Sequence, residues 1–325
     1  SQAVLLFVAA TLAVTTGLGL FSLPLTYGMV VATAVAASFE APARSALATA
    51  IVPAADVPSA IALGTIARLV GFTVGPGIAG VLLGSFSPAV PFAGAVSLLV
   101  AAIVLTARVP SVATNAASAA RGVALLKEGL SYVRHDPVVF ALIVTAVAPN
   151  TVGTLGALLP IFARDVLAVS GPQLGLLFAA SSVGALAAGL GFALFGAAPA
   201  SVRVALLATA VGGLAVLGFG MSRTFELSLI FLVTVGVANV VAEVTRSTLI
   251  LLRTPDGLRG RMTSVLQIVL VGGPALGFFE QGLLVTLLGP PATALIGGGL
   301  VVAATGVASR LPGARRRGEP AQLAR

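Results

Sequence analysis

Apolar runs of about 20 residues follow one another along most of this chain, without the every-other-residue alternation of strands, and are cut by glycines, prolines and clusters of charge. A hydrocarbon core about 30 Å thick is crossed by a helix of roughly 20 apolar residues. Ten spans are predicted on that measure, at about 3–21, 25–50, 59–83, 88–107, 137–162, 173–195, 204–221, 227–252, 262–288 and 291–308. One interruption is long. Residues 108–136 hold Pro110, a small-residue stretch over 111–120, and an amphipathic segment in which Leu125, Leu126, Leu130 and Val133 share a face against Lys127, Glu128, Arg134 and Asp136. That segment reads as a helix on the membrane surface and as the hinge between two halves.

Composition agrees with the pattern. Hydrophobic residues make up 58% and charged residues 9%, with a mean hydropathy of +1.11, whereas about a quarter of a soluble domain is charged. Helices and closed barrels alone satisfy their backbone polar groups inside lipid, so an all-α polytopic membrane protein is expected. There is no cysteine and His135 is the single histidine, which excludes a disulfide framework and a thiolate or imidazole metal site. No metal or cofactor is expected. The net charge of +8 comes with no tryptophan and two tyrosines, too few aromatics for a nucleic-acid surface.

The charge reports topology instead, because short loops rich in Lys and Arg stay in the cytoplasm. With the first span running outward, Arg164 and Arg223 fall outside, Arg44, Arg68 and Arg246 lie within spans, and the other 13 of 18 basic residues face the cytoplasm. The linker and the tail over 310–325 are then cytoplasmic. The chain opens at Ser1 without a methionine, and its 17 arginines to one lysine suggest a GC-rich bacterial source and a bacterial plasma membrane.

An internal repeat refines this. Arg44-Ser45-Ala46-Leu47 with Pro53 aligns to Arg246-Ser247-Thr248-Leu249 with Pro255, and Gly75-Pro76 to Gly273-Pro274, at offsets near 200 residues. Six spans follow the linker and four precede it, so a parallel repeat implies two further spans before Ser1 and twelve in an intact protein. The expected domains are a four-span bundle over 1–108, a linker over 109–136, a six-span bundle over 137–309 and the basic tail.

On these features the chain resembles the major facilitator superfamily, and its bacterial drug and siderophore exporter branch in particular. The matching segments are Phe39-x-x-Pro42-Ala43-Arg44-Ser45-Ala46 with Val52-Pro53, Glu128-Gly129-Leu130-x-Tyr132-Val133-Arg134, and Pro255-Asp256-x-Leu258-Arg259-Gly260-Arg261-Met262. Gly71-x-x-x-Gly75-Pro76-x-x-Ala79-Gly80 is similar to that family's antiporter motif, with Ala79 in place of a glycine. The family's Gly/Asp/Arg loop has a counterpart near 196–203, where only Arg203 is kept. The resemblance implies a monomer working by alternating access, with Asp256, Arg259 and Arg261 at a cytoplasmic gate. It also implies a central cavity lined by the spans carrying Glu40 and Glu243 and by the one carrying Asn150, Thr151 and Thr154.

A charge at a helix centre in hydrocarbon costs about 2.5–3.5 kcal/mol on insertion scales. Glu40 and Arg44 are spaced i, i+4, and Glu243 and Arg246 i, i+3, so each pair meets on one helix face. Thr33 and Asn239 extend these polar stripes. The pairs serve proton coupling or polar substrate contact, or they are fixed ion pairs whose arginines snorkel to a nearby helix end. Glu280, among Phe278, Phe279 and Gln281, suits reversible protonation, because apolar surroundings penalise a carboxylate, or else is a satisfied carboxylate near the outer face. Arg68 and Gln267 anchor helix packing. Gly75-x-Gly77-x-x-Gly80 lacks the strand and the acid of a dinucleotide site; its glycines serve helix packing. No Walker sequence and no clustered acids or Ser/His pair are present, so an enzyme is not expected. The reading is proton-coupled export of small, largely apolar molecules, against metabolite uptake or a non-transporting sensor or fragment.

Overall fold

The computed structural model describes residues 2–20, 24–33, 78–83, 89–109, 128–169, 172–195 and 201–311, with 22, 35, 36, 40, 67, 71, 75 and 85–87 besides. Every regular element among them is helical. The second and third expected spans, Arg44 and Pro76 within them, most of the linker and residues 312–325 fall largely or wholly outside the described residues. The chain divides into two compact units, Ser1–Ala116 with Gly171–Gly175, and Ala117–Ser170 with Leu176–Arg325.

In the first unit, α1 (Gln2–Gly17) packs antiparallel on α2 (Ala89–Ala107). Gln2 Nε2 donates to Thr106 Oγ1 at 3.3 Å at one end of the pair, and Gly17 approaches Ala89 at the other. Threonines in α1 return their hydroxyls to the carbonyl one turn back, Thr11 to Phe7 and Thr15 to Thr11, both at 2.8 Å. Polar side chains are thereby satisfied within the helix.

The second unit holds α3 (Glu128–His135), α4 (Pro137–Asn150), α5 (Leu158–Asp165), α6 (Pro172–Phe195), α7 (Val202–Met221), α8 (Phe225–Arg253), α9 (Arg259–Gln267), α10 (Gly273–Leu288) and α11 (Pro290–Arg310). Packing centres on α7, flanked by α8, α11 and α4. The α7–α8 turn is closed by the buried hydroxyls of Ser222 and Ser228, 2.6 Å apart. Phe162 of α5 stacks on Phe219 of α7, both fully buried, with ring centroids 4.4 Å apart. Among the described residues six helices are long and apolar enough to cross a membrane, or seven if α3 and α4 count as one bent span. Ten spans are not reached. Two lie largely outside the described residues, α1 has only 16 residues, and the fifth expected span is broken.

That break corrects the expected single span at 137–162. Helix α4 stops at Asn150 after 14 residues, about 21 Å at 1.5 Å per residue, and the chain resumes as helix only at Leu158. Pro149 carries no N–H and its ring opposes a continued helix, while Gly153 and Gly156 lower the helix propensity of the residues after it. A second interruption precedes α10, where Ile268–Gly272 widens into a π turn just before Pro274. A proline removes an i→i−4 bond, and a π turn lets neighbouring carbonyls find other donors.

Non-helical backbone at membrane depth is tolerated only where protein covers it, and here glycines let the cover approach. A side chain at Gly273 would meet Asn150, one at Gly277 would lie 2.2 Å from the Thr151 carbonyl oxygen, and one at Gly297 would lie 2.2 Å from that of Val152. Gln281 completes the row, donating from Nε2 to the Thr154 hydroxyl at 2.7 Å and to the Thr154 carbonyl. Substituting valine at Gly277 or Gly297 is expected to cost about 1–3 kcal/mol by overpacking. Gly282, whose Cβ position is open, is expected to accept valine with little change. Thermal unfolding of the three variants in one detergent checks this ordering.

Candidate functional site

The buried charge of the second unit is built on α8. Thr209, Arg246, Glu243 and Ser247 form one connected chain of hydrogen bonds. Arg246 is 1% exposed; its Nη1 donates to Glu243 Oε2 at 2.9 Å and its Nη2 to Thr209 Oγ1 at 3.2 Å. The other Glu243 oxygen accepts from Ser247 Oγ at 2.8 Å, and Thr209 Oγ1 donates to the Ala205 carbonyl at 2.8 Å. Spacings of three and four residues put Glu243, Arg246 and Ser247 on one face, and α7 supplies Thr209 across the interface. The expected snorkelling is corrected for Arg246. Its guanidinium turns into the bundle, because α7 offers an acceptor and α8 a counter-charge, with Nε left without a partner.

Beside this network Pro149, Gly153, Thr209, Gly212, Gly213, Val216, Val235, Asn239 and Val301 line a cleft with only about 10 Å³ of free space. That is below the ~300–1,000 Å³ of pockets that enclose a small ligand. Asn239 is on the exposed side of α8. Asn150 ends α4 and turns its Nδ2 back to the Ala146 carbonyl at 2.9 Å, and Thr154 Oγ1 donates to the Thr151 carbonyl at 3.2 Å. Glu280 is half-buried, one residue before the fully buried Gln281. In the first unit Glu40 is helical and half-buried, Arg44 lies outside the described residues, and Thr33 donates to its own helix at Met29, 2.8 Å away. Gly71, Gly75 and Gly80 are helical. Gly273 and Pro274 open α10 beside the broken span.

At one end of the second unit α3 is clamped to the segment between α8 and α10. Glu128 forms an ion pair with Arg261, Gly129 lies against Val265 and the Arg261 carbonyl, and the Tyr132 hydroxyl donates to the Arg253 carbonyl at 2.8 Å. Burial, with the Asp136 carboxylate nearby, pushes the Tyr132 phenol above its ordinary value, which keeps the proton that this bond donates. Val133 joins Val138, Val139, Leu142, Ala205, Ile250, Met262, Val265 and Leu266 in a shared core. Asp136 Oδ1 accepts from the amides of Val138 and Val139 at 2.8 and 3.2 Å, so it caps α4 where the chain turns by 109°. Of the expected gate residues, Arg261 is thus engaged with α3. Asp256 and Arg259 have described backbone only: a short 3-10 turn over Asp256–Leu258 and the first residue of α9.

A family model described as transmembrane secretion effector, within the major facilitator superfamily, matches residues 1–320. The chain belongs to this family. No curated protein matches it. Membership and the apolar helices make the chain a multi-pass membrane protein of a transporter family.

Three residues of the site, Thr209, Ser247 and Gln281, are additions to the candidates read from sequence. Ser247 is within reach of such a reading, since it sits four residues after Glu243. Gln281 continues the face of Gly273 and Gly277 at steps of four. Thr209 carries no such signal, because its contact with Arg246 spans 37 residues of sequence. Removing Glu243 leaves a buried guanidinium uncompensated, and Glu243→Ala is expected to cost about 2–4 kcal/mol, trimmed from the range for a fully buried pair by the carboxylate's partial exposure. Thr209→Val is expected to cost about 1 kcal/mol. In the double variant Glu243→Ala/Arg246→Met most of the single-variant loss should return. Unfolding midpoints of the four proteins decide whether the pair is held by its neighbours in this way.

Proposed function

We propose that this protein is a secondary active transporter that exports small, largely apolar molecules by alternating access, driven by proton antiport. Its bundles would be 1–108 and 137–309, rocking about the 109–136 linker in a bacterial plasma membrane with the linker and C-terminus cytoplasmic. The observation that carries the apolar cargo is how the polar groups of the candidate helices are used. Glu243 holds Arg246 and Ser247, Asn150 holds Ala146, and Gln281 holds Thr154. Apart from the buried Arg246 Nε and Gln281 Oε1, few donors or acceptors of these helices remain for a polar cargo, and each group left unpaired in its absence costs about 1–3 kcal/mol.

Glu280 stands outside those hydrogen bonds, half-buried and preceded in sequence by two phenylalanines, and is the residue we assign to proton coupling. Glu243 then has the structural role of compensating Arg246. The antiporter-like Gly71 to Gly80 segment supports export over uptake. Partners on this reading are the cargo, protons and the bilayer, with no nucleic acid and a monomeric protein. In proteoliposomes, efflux of an apolar fluorescent cation should rise with an imposed proton gradient. Glu280→Gln should reduce it to the rate without a gradient while leaving the unfolding temperature nearly unchanged. Gradient dependence that survives Glu280→Gln would remove Glu280 from the coupling path.

A further inference from the structure

The corner between α3 and α4 meets the end of α8 in a notch that the transport reading does not use. It is an open notch of about 300 Å³ lined by Tyr132, His135, Asp136, Pro137, Val138 and Arg253. Both helices that frame it pass there from apolar to polar sequence: α4 begins at Pro137 and the long apolar α8 ends at Arg253. The notch therefore lies at the level of lipid headgroups.

Its charges are available to a ligand. The Arg253 guanidinium has no ion pair or hydrogen bond among the described residues, while its carbonyl is fixed by the Tyr132 hydroxyl. His135 Nδ1 lies 2.7 Å from the Ser131 carbonyl; a carbonyl only accepts, so Nδ1–H donates there, and the imidazolium form, with its second proton on Nε2, has that N–H free to donate to a phosphate. The one acid in the lining, Asp136, is already committed to the first amides of α4, where its charge offsets the helix N-terminus. Exposed Arg134 and Arg203 lie at the same end of the unit, where Val133 and Ala205 share a core. Glu128, the other acid there, is paired with Arg261. Apolar side chains flank the cations: Leu252 is 62% exposed and Phe140 42%.

We propose that this notch binds the phosphate of an anionic phospholipid, with Arg253 and His135 as its donors and Leu252 and Phe140 against the acyl chains. Paired cations next to outward-facing apolar residues fit a headgroup still attached to its chains better than a free anion, since a free anion has no use for the apolar flank. Arg fits phosphate bidentately, and a basic residue near the surface favours an anionic lipid by about fivefold in affinity. The bound lipid would bridge α3 and α8 on the face where Tyr132 already ties them, and its binding depends on neither the cargo nor the coupling ion of the transport cycle.

Native mass spectrometry of the full chain, delipidated in mild detergent and given equal phosphatidylglycerol and phosphatidylcholine, tests this. The wild type should retain phosphatidylglycerol preferentially. Arg253→Gln should lower that preference by about fivefold, and His135→Gln should lower it in the same direction. Arg223→Gln, at the other end of α7, should leave it unchanged. Equal retention of the two lipids by the wild type would overturn the proposal, as would a loss of similar size in Arg223→Gln. So would displacement of the lipid by excess inorganic phosphate, which would mark a free-anion site. Unfolding temperatures measured alongside show whether each variant is folded, and either Arg253→Gln or His135→Gln alone suffices for the reading.

Discussion

Lipid provides no hydrogen-bond partner, and this single constraint organises most of what the second unit does. Wherever the backbone leaves the helix, another element must press close enough to replace the lost bonds or to keep lipid away. Residues 151–157 are the chief departure, and the neighbours answer it at regular intervals. Gly273, Gly277 and Gln281 succeed one another along α10, one turn apart, and Gly297 approaches from α11. The glycines matter here for what they lack. Any Cβ at Gly277 or Gly297 would overlap a carbonyl oxygen of the broken segment, so the break and its cover belong to one design.

The same constraint acts on charge. A guanidinium in a bundle interior demands a counter-charge and acceptors for its donors, and Arg246 receives Glu243 from its own helix and Thr209 from the next. The first partner is local and costs little order to position. The second ties α8 to α7, the pair that carries much of the packing of this unit. Polar groups elsewhere obey a simpler rule, in which threonine hydroxyls return to carbonyls of their own helix, as at Thr33, Thr145, Thr234 and Thr305. The few polar groups described as crossing between elements, Gln2, Thr209, Gln281, Tyr132 and the Glu128–Arg261 pair, are therefore the informative ones.

Periodicity and composition make the helical membrane class legible, since a 20-residue apolar run has few alternatives. Six of the expected spans reappear as helices whose ends differ from expectation by a few residues, as in Val202–Met221 against 204–221. The cap before α4 is also readable, because Asp136-Pro137 is a helix-start signal. The break after Asn150 is not, because hydropathy sums over 137–162 without noticing that Pro149, Gly153 and Gly156 interrupt the backbone. The sequence marks Arg246 as charged and near a helix end, which is correct, yet its direction depends on Thr209, a residue that nothing in the local sequence connects to it. Local pairs at three or four residues can be read; partners supplied by another helix cannot.

The clamp on α3 bears on whether this helix can act as a hinge. Four kinds of contact hold this helix to its neighbours: the Glu128–Arg261 ion pair, the fit of Gly129, the Tyr132 hydroxyl and the buried Val133. Separating α3 from α9 would expose Val133, Met262 and Val265 at the same time, and each loss alone is worth about 1 kcal/mol or more. A hinge works by dihedral changes that disturb few contacts. Residues 128–136 do not meet that condition, so α3 belongs with α4 and α9 rather than serving as a hinge. Of the apolar face expected on this segment, Val133 is buried against α4 and α9 while Leu130 is 44% exposed, and Leu125 and Leu126 lie outside the described residues.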